Sequence, residues 1–199
     1  MTEDEKVNLV VNEYGGIFPP YEVFYLFHLG MNCERFAYAY GDFLELVSDN
    51  PDEAMSSLHL ALSYAGMVSK MFWPVRKAAI TQARAQKLRS SFNVKDDNPL
   101  RDRALRNQIE HYDEKLDEYL LTGVVGQIIP FHVGPSFEEC SNIKVLMHLD
   151  YEGGVFRLFG TSYHYDRIND AMRDIYEKVL EFDGGGGRLS PFNNPVTEG

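Results

Sequence analysis

Cysteine, long apolar runs and phosphate-loop glycines are all scarce or missing, and each absence removes a class of function. Two cysteines occur in 199 residues, Cys33 and Cys140, with no partner at metal-ligand spacing. That excludes a disulfide framework and a CxxC centre, and predicts free thiols in a reducing compartment. No apolar stretch approaches the ~20 residues of a membrane span, and the opening MTEDEK is acidic with no cleavage-like apolar run behind it. The expectation is a soluble, cytoplasmic chain with no membrane segment. Gly184 to Gly187 lacks the Lys-Ser/Thr of a phosphate loop and follows a helical rather than a strand pattern. No GxSxG elbow is present. Six histidines (His28, His59, His111, His132, His148, His164) show no HxxxH or HxH spacing, so they read as structural, with no metal and no cofactor expected. His148 and His164 are the two that a C-terminal hairpin would bring together.

What is present begins with charge. The net charge of −11 disfavours a general polyanion binder. From Lys70 to Gln108, however, ten Lys/Arg stand against three acids, a net of +7. The remaining nine basic and twenty-seven acidic residues give −18. A basic zone of this kind either holds a polyanion or is a solvated helix face. Its candidate RNA-binding residues are Arg76, Lys77, Arg84, Lys87, Arg89, Arg101 and Arg103.

Apolar content of 44% supports a core in one domain. Residues 1–18 read as an extended lead-in, with a short edge strand over 7–11 ended by Tyr14-Gly15-Gly16. After Pro19-Pro20, a helix over 21–47 carries Tyr25, Leu29, Asn32, Phe36, Tyr40, Phe43 and Val47 at helical spacing. Phe24, Phe27, Met31 and Tyr38 widen that stripe over most of the circumference, which predicts burial on several sides, at a bundle centre or a subunit interface. Asn50-Pro51-Asp52-Glu53 is a strong helix start. That helix continues through Phe72 and ends near Trp73-Pro74. A third helix spans 75–92, with a polar linker over 93–98. The Trp73-Pro74 pair, beside Ser69 and Lys70, reads as a packed helix end, or alternatively as an aromatic platform for a base.

The fourth helix, over 99–121, opens on Asn98 and Pro99, which suit a cap and a first helical position. It contains Arg106-Asn107-Gln108-Ile109-Glu110-His111. On a continuous helix, Asn107 and His111 share one flank, Arg106 and Glu110 share another, and Arg106 and His111 diverge by roughly 140°. Loop signals then run from Gly123 to Pro135. Strands over 143–150 and 155–163 and a helix capped by Asp166, carrying Ile168, Met172, Ile175 and Val179, make a ββα unit. The expected class is mainly α: an antiparallel four-helix bundle over 19–121, a small C-terminal ββα extension over 122–182, and a flexible tail over 183–199.

The Arg106-Asn107-xxx-His111 pattern in a late helix, with ALSYAGMVSKMFWP (61–74) and RALRNQIEHYDEKLDEYL (103–120), resembles the HEPN superfamily, including an uncharacterised bacterial HEPN-like family. The resemblance covers residues 20–121 at most. It implies a HEPN-like bundle that homodimerises and a metal-independent endoribonuclease acting on single-stranded RNA, as a toxin or defence effector with an antitoxin-like protein partner. His111 would take the 2′-hydroxyl proton. Arg106 would hold the non-bridging phosphate oxygens, and Asn107 would orient the imidazole or bind phosphate. Against this stand the carboxylates of Glu110, Asp113, Glu114, Asp117 and Glu118 around the motif. The alternative is a non-catalytic HEPN-like interaction or dimerisation module. A third class, a small-molecule binder, would need a pocket between the first two helices.

Overall fold

In the computed structural model, residues 1–102, 104–122, 126–135 and 143–189 are described, except for the side chains of Leu105 and Arg106. Among these residues the chain is mainly helical, with seven α-helices and one small four-stranded sheet toward the C-terminus.

The first element corrects an expectation. Residues 1–18 are not an extended lead-in with an edge strand: Glu3–Tyr14 forms helix α1. Thr2 Oγ1 accepts from Glu5 N–H at 3.3 Å and the Glu5 carboxylate accepts from Thr2 N–H at 2.7 Å. This reciprocal box, followed by three acids in the first turn, sets the start. Gly15, at φ 61°, ends it. The next residue, Gly16, lies so close to the chain at 83–84 that a Cβ would sit 2.2 Å from Arg84 N.

Helices α2 (Glu22–Leu46) and α3 (Pro51–Phe72) form the main helical pair, joined by residues 47–50. Leu26, Leu29, Cys33, Phe36 and Phe43 of α2 face Leu58, Leu62, Ala65, Val68 and Phe72 of α3 across one apolar core. Asn50 Oδ1 caps α3 through Glu53 N–H, and the helix stops at Trp73 as its sequence indicates. Helix α4 (Ala79–Phe92) begins later than expected. After Pro74 the connection is pinned by the Gln82 side-chain amide donating to Arg76 C=O at 2.6 Å. Phe92 packs on Phe72 and Phe182.

Residues 99–121 are not one helix. A 3-10 turn (Pro99–Arg101) precedes α5 (Ala104–Glu110). His111 leaves helical geometry at φ −117°, ψ 45°, and α6 runs from Tyr112 to Leu120. Asp113 and Glu114 in the first turn of α6 favour a helix N-terminus there.

The C-terminal sheet is larger than a two-stranded unit. Its order is β1 (Gln127–Val133), β2 (Ile143–Asp150), β3 (Val155–Leu158) and β4 (Thr161–His164), with β1 parallel to β2 and the rest antiparallel. Strand β1 lies in the stretch expected to be loop. Pro130 is tolerated because β1 is an edge strand and residue 130 is absent from its pairing register. The expected single strand over 155–163 folds back at Phe159 (φ 49°) and Gly160 (φ 77°). Positive φ at both turn residues matches the twist of a two-residue hairpin. The Phe159 ring is held under Tyr112 and Tyr119, which offsets its unfavourable backbone.

Helix α7 (Tyr165–Gly184) is part of the helical layer rather than an appendage. Ile168, Met172, Ile175 and Val179 are buried in the common core, as their spacing indicates. The residue before the helix is His164, not Asp166, and its side chain makes no capping bond. Helix α7 crosses α2 at Gly30, where a Cβ would lie 3.1 Å from Val179 Cγ1. The flexible tail expected from 183 onward is partly docked: Leu189 is buried and its N–H donates to the Glu22 carboxylate at 3.1 Å. Residues 190–199 lie outside the described residues.

Candidate functional site

The motif hexapeptide sits on α5 and the break that follows it. Gln108 turns inward, donating to Thr161 Oγ1 at 3.0 Å and accepting from Tyr163 O–H at 2.5 Å, and so ties α5 to β4. Glu110 pairs with Lys70 of α3 at 2.6 Å. Asn107 and His111 face solvent. The His111 ring lies 3.6 Å from the Glu114 carboxylate, in a pair exposed on both sides. His111 N–H still donates to Asn107 C=O at 2.9 Å, so the chain stays helical up to His111 and turns aside after it. The Arg106 side chain, and Arg103 altogether, lie outside the described residues. Arg106 and His111 are thus both carried on α5 and its end, and of that pair with Asn107 only Asn107 and His111 have described side chains. Beside Asn107 a shallow groove is lined by Lys115, Tyr119, Phe159 and Thr161, but not by His111.

The basic zone divides. Lys87 Nζ is 2.7 Å from Glu22, donates to Tyr14 C=O and Ile17 C=O, and is nearly buried. Arg89 donates to Phe72 C=O. Arg84 donates to Met71 Sδ at 3.1 Å, with its guanidinium 5.9 Å from the Tyr25 ring, and burial lowers its pKa. These three cations, read from sequence as RNA-binding, hold α4 to α1, α2 and α3 instead. The physical reason is local: α4 is short of apolar residues, with Ala85, Leu88 and Phe92 buried, so its long side chains bury their stems and reach backbone carbonyls. Arg76 and Lys77 are exposed. Arg101 is exposed and held by Asp96 at 3.5 Å. No cleft among the described residues gathers these cations around His111.

Within the single chain, α2 is buried on one side, and the wider apolar face expected at a bundle centre or a subunit interface is open. Phe24, Phe27 and Tyr38 are 65%, 68% and 76% exposed, and they align with Met31 along the face opposite the core. On α3, Leu60 and Met67 are exposed on either side of Tyr64, whose ring lies 6.0 Å from the Arg35 guanidinium. Sequence reasoning placed these rings in a single wide stripe. The signal for a second face was their own spacing of three, four and seven, set half a turn from Leu29, Phe36 and Phe43.

The remaining expectations fall as follows. His148 is buried, its ring 5.1 Å from that of His132, its register partner, and tilted to it, rather than meeting His164. Trp73 is buried against Phe72, which is the packed helix end and not an open platform. Cys33 is buried, and desolvation pushes its thiol up to about 12. Among the described residues, no three His, Cys, Asp or Glu gather as metal ligands, and no helix is long and apolar enough to cross a membrane. In comparisons with protein-family models, curated proteins and solved structures, none matches this chain.

Proposed function

We propose that this chain is a non-catalytic helical module that works by self-association through the outer face of α2. The observation carrying this reading is the solvent-facing line of Phe24, Phe27 and Tyr38, with the half-buried Met31 among them. Taking ~200 Å² per aromatic side chain, the three rings leave on the order of 400 Å² open to water. That is about half of the ~800 Å² per partner in a standard interface. Val23 on α2, and Leu60 and Met67 on α3, are also exposed and supply further apolar area. The line is self-complementary. Two copies of α2, antiparallel about an axis at Met31, set Phe24 of each against Tyr38 of the other and bring Phe27 level with Arg35. An offset ring pair and a cation over a ring each favour that register.

Light scattering on the eluting full chain tests this. The expected result is a dimer that becomes a monomer, with unchanged circular dichroism, when Phe24→Glu and Phe27→Glu are combined. A wild-type monomer at all concentrations, or a dimer indifferent to both changes, overturns it.

A second reading has its own observation. Asn107 and His111 are open to solvent at the end of α5, with no packing role evident for His111. Metal-independent RNA cleavage by Arg106 and His111, as the HEPN resemblance implies, would use them. Cleavage of single-stranded RNA in EDTA, lost with His111→Ala, would establish that reading over the first. No cleavage by the wild-type chain would remove it.

A further inference from the structure

A small cavity lies where the bundle meets the sheet, between α3, the Pro99–Arg101 turn and the β4–α7 junction. It holds about 180 Å³, somewhat more than the ~150 Å³ apolar cavity that admits a benzene ring. Leu62, Ala65, Leu100 and Ile168, all buried, give it an apolar floor. Ser69 in the wall is already committed, its hydroxyl donating to Leu100 C=O at 2.6 Å.

The mouth is different in kind. Asp102, His164 and Arg167 line it and are exposed. One Asp102 oxygen accepts from Ala104 N–H at 2.8 Å. Its second oxygen, the His164 ring and the Arg167 guanidinium make no hydrogen bond or ion pair among the described residues. A carboxylate and a guanidinium thus share one opening without pairing to each other. Such a mouth suits a ligand that carries both charges, above a pocket that accepts a small hydrocarbon body.

We infer that this cavity binds a small zwitterion with an aliphatic body, of the class of free α-amino acids with apolar side chains. Its carboxylate would pair with Arg167 and His164, its ammonium group with Asp102, and its hydrocarbon would rest against Leu62, Ala65 and Ile168. Arg167 supplies the planar fork that matches a carboxylate. The site lies apart from the α2 face, and it adjoins the motif helix: Tyr163 in its lining donates to Gln108, and Asp102 accepts from Ala104 N–H.

Calorimetric titration of the full chain with L-leucine tests the inference. The same titration with isocaproate, which lacks the amine, and with isopentylamine, which lacks the carboxylate, separates the two charges. Saturable binding of L-leucine is expected, with each analogue weaker by at least about tenfold, the scale of one lost charge-assisted hydrogen bond. Arg167→Gln and Asp102→Asn should lower affinity for L-leucine by a similar factor. Asn at 102 can still accept from Ala104 N–H, so that variant keeps the local turn. Should either variant misfold, amide shifts in the wild-type chain decide: L-leucine must move the signals of Gly66, Leu100 and Ile168. No saturable binding, equal binding of the single-charge analogues, or affinity unchanged in both folded variants overturns the inference.

Discussion

Helices α2 and α4 make opposite use of their side chains. Helix α2 carries more apolar residues than one buried face can absorb, and Phe24, Phe27 and Tyr38 remain in water. Helix α4 carries fewer than it needs, and Arg84, Lys87 and Arg89 are drawn into contacts with carbonyls, a thioether and a carboxylate. The lesson is that an element's composition sets what it has to offer, while its neighbours decide which side chains are taken inside. Rings expected at a bundle centre or a subunit interface lie on the surface of the single chain, and cations read as RNA-binding or solvated become ties between helices.

The comparison breaks most clearly through paired substitutions. Phe43 is 1% exposed and packs on Tyr165 at 5.3 Å. Phe43→Ala is expected to cost about 3–5 kcal/mol in urea unfolding. Phe27→Ala, on the same helix but the outer face, should change the stability of the monomer by no more than about 0.5 kcal/mol. Equal losses from the two would show that the outer face is not free. On the charge side, Lys87→Met strands the nearly buried Glu22 carboxylate and should cost about 3 kcal/mol or more. Lys77→Met at an exposed position should again fall within about 0.5 kcal/mol. If Lys87 proves as silent as Lys77, the inward role of α4's cations is wrong.

The smallest effect concerns two histidines on the α2–α3 pair. Burial holds His28 and His59 below the ordinary value of 6.5, and the Arg84 charge adds to the shift at His28. A group with a depressed folded pKa binds more protons in the unfolded chain. Its contribution is fully present above about pH 6.5 and is lost as pH falls through the lowered values. Urea midpoints measured across that range should decline on the acid side, and less steeply in His28→Gln or His59→Gln.

Much of the helical framework was readable in the chain. Asn50-Pro51 starts α3, Trp73-Pro74 ends it, and the spacing of Ile168, Met172, Ile175 and Val179 gives the buried stripe of α7, because caps, proline and helical period act within a few residues. The Thr2-xx-Glu5 box was equally local and marks α1, although the valines behind it suggest a strand. The candidate site was legible only as a list of residue types. Asn107 and His111 are exposed, and the bend after His111 turns α6 away from the line of α5. That bend accompanies long-range contacts: Gln108 on Tyr163 and Thr161, and Tyr112 and Tyr119 on Phe159.

The sequence alone determined the mainly helical class, the ends of its best-capped helices and the segregation of positive charge into residues 70–108, since propensity, capping and charge are properties of neighbouring residues. Only the tertiary structure decided which face of α2 stays wet, which cations of that zone turn inward, and that Asp102, His164 and Arg167 share one opening. Those outcomes depend on which distant elements compete for the same surface, and that competition exists only once the chain has packed.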